Sequence, residues 1–311
     1  MVTALRPFRF GVQVPSARSL EEWTEKVKAA EAMGFDVLTI PDHFGDHFAP
    51  FAALGAAAAV TSRLRLGTMV IDNDFRHPAV TAKELATLDV LSGGRLEVGL
   101  GAGWRESDYA PTGIRFEEAG VRLGRLEESV RVIRGLMSDG PLSFAGRHYR
   151  ISGLEGWPKP VQRAAPPILI GGARKRILSL AARVADIVGV HVVLDGRSAH
   201  VGPSMTAAAT AERIDWIRAA AGERLAQLEL QVQAFIVAID RPVEEVERDA
   251  AKRFSIPADE IADSPHVLAG SVDTIAEKLL ERRERLGISY VSTNEANMTS
   301  LARVVARLHR E

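Results

Sequence analysis

Residues 64–109 constrain this chain more than any other stretch: LRLGTMVIDNDFRHPAVTAKELATLDVLSGGRLEVGLGAGWRESDY. Two apolar runs, 64–71 and 96–100, flank a helical pattern. The pattern opens on His77-Pro78, since Pro is tolerated in a first helical turn, and closes on Ser92-Gly93-Gly94, where glycine stops a helix. Both runs are apolar on both faces, which suits parallel strands buried under helices. The second run empties into Gly99-Leu100-Gly101-Ala102-Gly103, where backbone lies bare beside whatever the strand points at.

The rest of the chain supplies the neighbours. Strand-type runs recur at 8–14, 36–40, 166–170, 187–193, 228–239 and 288–293. Helical spacing covers 20–33, 51–60, 116–137, 175–184, 205–221, 243–254, 272–286 and 298–309. Eight strands separated by helices, with no linker-like tract, predict an α/β chain folded as one (β/α)8 TIM barrel over 1–311. Insertions are expected at about 141–160 and 255–270. A doubly wound sheet would carry a dinucleotide fingerprint after its first strand, whereas here that strand ends in Gln13-Val14-Pro15.

Composition narrows the function classes. A net charge of −1 gives no electrostatic support for nucleic-acid or membrane-surface binding. The absence of Cys excludes disulfides, thiolate zinc sites and a Cys nucleophile. The N-terminus has no export-signal pattern and no run reaches membrane-span length, so a cytoplasmic protein is expected. The apolar helices leave room for a homodimer.

In a barrel the site lies at the carboxyl ends of the strands. Those ends carry Gln13, Asp42-His43, Asp72-Asn73, Gly101-Ala102-Gly103-Trp104, Gly171-Gly172-Ala173-Arg174, His191, Asp240 and Asn294-Glu295. Asp42-His43 pairs a carboxylate with an imidazole suited to proton transfer, or is a helix cap beside a loop histidine. Gly171-Gly172-Ala173-Arg174 is an anion cradle or a tight turn. Three basic residues, Arg174, Lys175 and Arg176, oppose a helix dipole and favour the anion. Gly99-Leu100-Gly101-Ala102-Gly103-Trp104 fails a dinucleotide fingerprint because Trp104 stands at the third glycine position. It offers bare backbone to a flat ligand, or close strand–helix packing. Asp42, His43, Asp46, His47 and His191 have metal-ligand chemistry without a metal-site spacing, so no metal is expected.

Taken together, these residues resemble the bacterial luciferase-like superfamily, and within it the branch using coenzyme F420. The resemblance spans essentially the whole chain. It is carried most specifically by Leu66-Gly67-Thr68-Met69-Val70, by Arg76-His77-Pro78-Ala79-Val80 and by residues 88–96, LDVLSGGRL. Pro41-Asp42-His43, Pro167–Gly172, residues 180–186 and Gly270-Ser271-Val272-Asp273 support it. The resemblance implies that Asp42 faces the cofactor ring and that His43 is the active-site histidine. It implies a cis peptide at Met69-Val70, with Thr68, Met69 and Val70 forming a bulge behind the ring. Ala102, Gly103 and Trp104 would line the cofactor, and Gly171, Gly172, Ala173 and Arg174 would receive its phosphate end.

Two departures sharpen this. The luciferases proper carry an Arg for the flavin phosphate where this chain has Ala102. The sugar-phosphate dehydrogenases carry an acidic residue where it has Trp104. The resemblance therefore implies an F420-dependent oxidoreductase moving a hydride to or from a small-molecule substrate, with His43 handling the proton and Asp42 orienting the cofactor. Alternatives are an FMN-dependent monooxygenase and a non-catalytic flavin-binding protein. Trp104, the 72–77 and 195–204 loops and the 256–267 insertion are expected to shape the substrate pocket, and none of them names a molecule.

Overall fold

Eight parallel strands close into a barrel within the residues that the computed structural model describes, 5–194 and 202–309. The first half runs β1 (Arg9–Gln13), α1 (Leu20–Ala32), β2 (Val37–Ile40), α2 (Pro50–Val60), β3 (Arg65–Thr68), β4 (Ile71–Asp72), α3 (Pro78–Leu91) and β5 (Leu96–Gly101). A short α4 (Glu106–Tyr109) and a long α5 (Ala119–Met137) lead to a hairpin of β6 (Pro141–Ala145) and β7 (Arg150–Glu155). Then come β8 (Ile168–Gly172), α6 (Lys175–Val184), β9 (Ile187–Val190), α7 (Ala207–Ala221) and β10 (Glu229–Ala234). The chain ends with β11 (Ile236–Ile239), α8 (Val243–Phe254), α9 (Ala258–Ala262), β12 (Val267–Gly270), α10 (Val272–Leu286), β13 (Ile288–Asn294) and α11 (Met298–Leu308).

The hydrogen-bonded order is β3-β2-β1-β13-β10-β9-β8-β5, and pairing of β3 with β5 at Leu66–Leu96 and Gly67–Glu97 shuts the ring. This is the predicted (β/α)8 architecture. Local chemistry places the helices. Ser19 and Ser271 accept the Glu22 and Thr274 backbone N–H groups and so cap α1 and α10. Gly287, at φ +80°, ends α10 in the left-handed conformation that favours glycine. Among the described residues no helix is long and apolar enough to cross a membrane.

Strand alternation divides the core in two. Phe10, Val12, Leu38, Ile40, Val98, Ile170, Val188 and Val291 face the helices in the main apolar cluster. Val37, Leu169, Ile187 and Tyr290 form a separate cluster and, by the period of two, point into the barrel. The same parity turns Gly11, Gly67, Gly99, Gly171 and Gly189 inward. The amino-terminal end of the barrel is plugged by charge. Arg9 bridges Glu97 and Glu229, the latter at 2.9 Å, and Arg65 donates to Glu97 at 2.5 Å.

Two predicted strands differ in detail. The 64–71 run is two strands, because the chain leaves the sheet after Thr68 and rejoins as β4, paired with β5 at Ile71–Leu100. The 228–239 run is also two strands, for β11 departs after Ala234 and pairs with β12 of the insertion. Residues 141–160 hold the β6–β7 hairpin. Residues 195–201 of the predicted 195–204 loop lie outside the described residues.

Candidate active site

Asp42 and His43 follow β2, and each is held by a residue that sequence reasoning did not pair with it. Asp42 is buried and meets the Arg76 guanidinium through two contacts, 2.5 and 3.3 Å long. Its Oδ2 also accepts the Asp72 backbone N–H at 3.2 Å. A bidentate guanidinium fixes a carboxylate in orientation as well as charge. His43 Nδ1 stands 2.6 Å from Oδ2 of Asp108, a residue only 4% exposed at the third position of α4. With Nδ1–H donating to that carboxylate, the neutral ring keeps Nε2 as an acceptor. The Trp104 ring meets His43 at 89°, 5.7 Å between centroids, and His47 lies 5.5 Å away on another side. Burial pulls the His43 pKa below its ordinary value, although Asp108 works in the opposite direction.

The backbone left bare by glycine turns out to be occupied by the chain itself. Thr68 donates its hydroxyl to the Gly99 carbonyl at 2.8 Å and accepts the Gly99 N–H at 2.9 Å. The Met69–Val70 peptide is cis, and Gln13 Nε2 donates to the Met69 carbonyl at 3.0 Å. A Cβ on Gly99 would overlap the Thr68 carbonyl oxygen, and one on Gly101 would lie 2.5 Å from Val70 Cγ2. Gly99 and Gly101 therefore admit the Thr68–Val70 bulge, on which Val70 stays half-buried.

Ala102, Gly103 and Trp104 are pinned from behind. Arg122 donates to the carbonyls of Ala102, at 3.1 Å, and of Gly103, while stacking 4.0 Å from the Phe116 ring. Gly103 has φ +74°, and a Cβ there would strike the Tyr109 hydroxyl. That hydroxyl lies 2.9 and 2.8 Å from the two oxygens of Asp72, whose pKa burial pushes up to about 6. Asp74 beside it is raised by burial too and is paired with Arg125 at 3.1 Å.

At Gly171 and Gly172 the structure gives the glycines a packing reason. A Cβ on Gly171 would lie 2.7 Å from His191 Nε2, and one on Gly172 would overlap Ile177. Arg174, Lys175 and Arg176 are exposed at the start of α6, and Arg213 Nε donates to the Ala173 carbonyl at 3.2 Å. Asp240 pairs with Arg303 at 2.8 Å, Asn294 accepts the Asn297 N–H and Glu295 pairs with Lys26, so these strand-end residues serve local structure. Among the described residues no group of three or more His, Cys, Asp or Glu is arranged to hold a metal ion.

The barrel order thus sets four segments side by side at the carboxyl ends of β2, β3, β5 and β8: Asp42-His43, Thr68–Val70, Ala102–Trp104 and Gly171–Arg174. Asp108, Arg76 and Tyr109 join them only through the closed fold. Sequence gave a signal for Asp108 in hindsight alone, as an acid beside Tyr109 just past the Trp104 turn.

Known proteins share this outline. The sequence profile of the luciferase-like monooxygenases matches residues 1–290. An F420-dependent glucose-6-phosphate dehydrogenase of Nakamurella multipartita is 34% identical over 189 residues, 58% of this chain and 55% of that protein. An FMNH2-dependent dimethylsulfone monooxygenase of Pseudomonas putida is 30% identical over 185 residues, 60% of this chain and 47% of that protein. The chain spans about half the length of the curated relatives it matches. The coenzyme F420 dependent tetrahydromethanopterin reductase from Methanopyrus kandleri superposes with a TM-score of 0.77, covering 97% of both chains at 19% identity, a likeness of fold. The chain belongs to the luciferase-like monooxygenase family.

Proposed function

We propose that this chain is a coenzyme F420-dependent oxidoreductase acting on a small organic molecule, with His43 as the proton-handling residue. The observation that carries the reading is the His43–Asp108 pair, 2.6 Å apart beside Trp104, one strand from the Thr68–Val70 bulge. The donor set fits a flat ring with an anionic tail. Thr68, Met69 and Val70 offer a backed surface for the ring, and Ala102, Gly103 and Trp104 a second wall with little side chain at Gly103. The exposed Arg174, Lys175 and Arg176 suit the phosphate end, with the backbone of Gly171, Gly172 and Ala173. Bound there, the deazaflavin supplies hydride chemistry that no side chain can provide.

The chain's own part is position and protons. Arg76 holds Asp42 in one orientation, and Asp42 would face the ring edge. In the oxidative direction His43 Nε2 takes the proton of a substrate hydroxyl, and Asp108 stabilises the imidazolium that results. In the reductive direction the same nitrogen returns the proton. Trp104 screens the pair from water. Ala102 in place of an arginine weighs against a flavin-phosphate pose, whereas the likeness to an FMNH2-dependent monooxygenase favours reduced FMN as the second reading. A flavin carrier without catalysis gives no account of a carboxylate-held histidine.

Titrating the protein with F420 and with FMN, followed by fluorescence quenching, tests the cofactor. Tighter binding of F420 is expected, and tighter binding of FMN overturns the reading. With a panel of alcohols and glucose 6-phosphate screened for F420 reduction, His43→Ala should keep cofactor affinity and lose about 10²–10⁴-fold in turnover. Undiminished turnover in that variant removes His43 from the chemistry.

A further inference from the structure

The glycines that face the barrel interior leave room for side chains reaching in from other positions, and three of those carry polar tips. The Tyr290 hydroxyl lies 2.8 Å from where a Cβ on Gly11 would stand. On Gly189 a Cβ would be 2.6 Å from His191 Nε2 and 3.1 Å from Gln231 Oε1, so both tips face the same patch of bare backbone. Gln231 is the register partner of both Gly189 and Tyr290, which sets Gln231 and Tyr290 on the adjacent strands β10 and β13 and His191 just past the end of β9 on the other side of β10. Gln231 is 0% exposed and Tyr290 1%. Yet Tyr290 Oη, Gln231 Oε1 and the buried His191 Nε2 have no hydrogen-bond partner among the described residues. Three unmet polar atoms line the barrel interior, two of them meeting over Gly189 and the third standing over Gly11, and they contradict the rule that buried polar groups are satisfied.

Flipping the Gln231 amide does not remove the contradiction. Nε2 donates to Ser292 Oγ at 2.7 Å, and with the amide reversed the oxygen would accept from that hydroxyl and the nitrogen would be left alone. A direct His191–Gln231 bond would still leave Tyr290 unpaired.

We propose that His191, Gln231 and Tyr290 frame an internal binding site for water in the barrel interior, beneath the strand ends that form the candidate active site. The chemistry of the frame selects a neutral ligand with both donors and acceptors. Gln231 offers an acceptor. Tyr290 offers an O–H that burial keeps protonated, and His191 is held neutral by burial, which pushes its pKa down to about 4. Below the site, Arg9 lies 4.9 Å from the Tyr290 ring and opposes a cation, while Glu97 and Glu229 oppose an anion. Over Gly189 water donates to Gln231 Oε1 and meets His191 Nε2 as donor or acceptor according to the ring's tautomer, and over Gly11 water accepts from Tyr290 Oη. Such waters make about two to four hydrogen bonds to otherwise unmet groups, and His191 and Gln231 offer two over Gly189. The inference is independent of the cofactor and of His43.

A crystal structure of the protein at about 1.5 Å or better reads the site directly. The expected result is a density peak within about 3.2 Å of at least two of the three atoms. A direct His191 Nε2–Gln231 bond with no peak overturns the proposal. Magnetic relaxation dispersion of water oxygen-17 gives a second reading in solution. Gln231→Leu should lose at least one long-lived internal water relative to the unaltered protein, and an equal count in the two overturns it.

Discussion

A carboxylate 2.6 Å from Nδ1 of His43 decides what the other ring nitrogen can do. It fixes the tautomer, and it partly offsets the burial that lowers the imidazole's proton affinity. On the proposed reading Asp108 would be a positioning residue, and Asp108→Asn should act through His43. Turnover is expected to fall by about 10²-fold or more with cofactor affinity unchanged. The limb of the pH–rate profile assigned to His43 should move to lower pH, since the interaction that raises its pKa is gone. Asp108→Glu should recover part of both, which a purely structural role would not produce. Steady-state kinetics across pH separates the two. Asp42 and His43 were legible in the sequence because they follow a strand end. Asp108 was not, because it lies 65 residues away and meets His43 only when β2 and β5 stand in one closed ring.

At the scale of elements, the bulge after β3 and the glycines of β5 are one construction. Neither half is interpretable alone, which is why the sequence left Gly99 and Gly101 as bare backbone awaiting a guest. Gly99→Ala should force the Thr68 carbonyl away and break the paired Thr68–Gly99 hydrogen bonds. A loss of about 3 kcal/mol of stability is expected, read by urea denaturation, together with weakened cofactor binding. Helices were read well where the apolar residues recur at clear amphipathic spacing: the expected 175–184, 243–254 and 272–286 are the observed α6, α8 and α10. Strands were read as too long where the apolar pattern carries through a break. At Met69 both flanks are apolar, and at Phe235 the alternation keeps phase while the chain passes from barrel to insertion. Periodicity records which face is buried and is silent about which sheet buries it.

For the whole molecule, burial of neutral histidine ties stability to pH. His266 is fully buried, bonded to the Gln233 carbonyl at 2.8 Å, and burial pushes its pKa down to about 4 from an ordinary 6.5. Between those values the unfolded chain holds the extra proton. The stability contributed by keeping this ring neutral is thus complete above pH 6.5 and is lost as pH falls toward 4, by about 1.4 kcal/mol per pH unit. Replacing His266 with Gln should flatten the acid side of the stability curve, measured as unfolding free energy at intervals from pH 7 to pH 4. An unchanged slope would assign the acid sensitivity elsewhere. The (β/α)8 order itself was legible because eight apolar runs alternate with helices. The interior was not, since a glycine in a strand says only that something approaches, never what.

That interior gives the molecule an uneven capacity for change. Its bore is set by backbone at Gly11, Gly67, Gly99, Gly171 and Gly189; an added Cβ would lie under 3 Å from a neighbour at all of these except Gly67, where it would fit tightly. The stoppers in the bore are Val70, His191 and Tyr290, each brought in from elsewhere. Narrowing the chamber through most of its walls first requires a stopper to move, whereas trimming a stopper widens it without moving a strand. New ligand shapes would therefore arise first at Val70 and His191, leaving the ring of strands untouched.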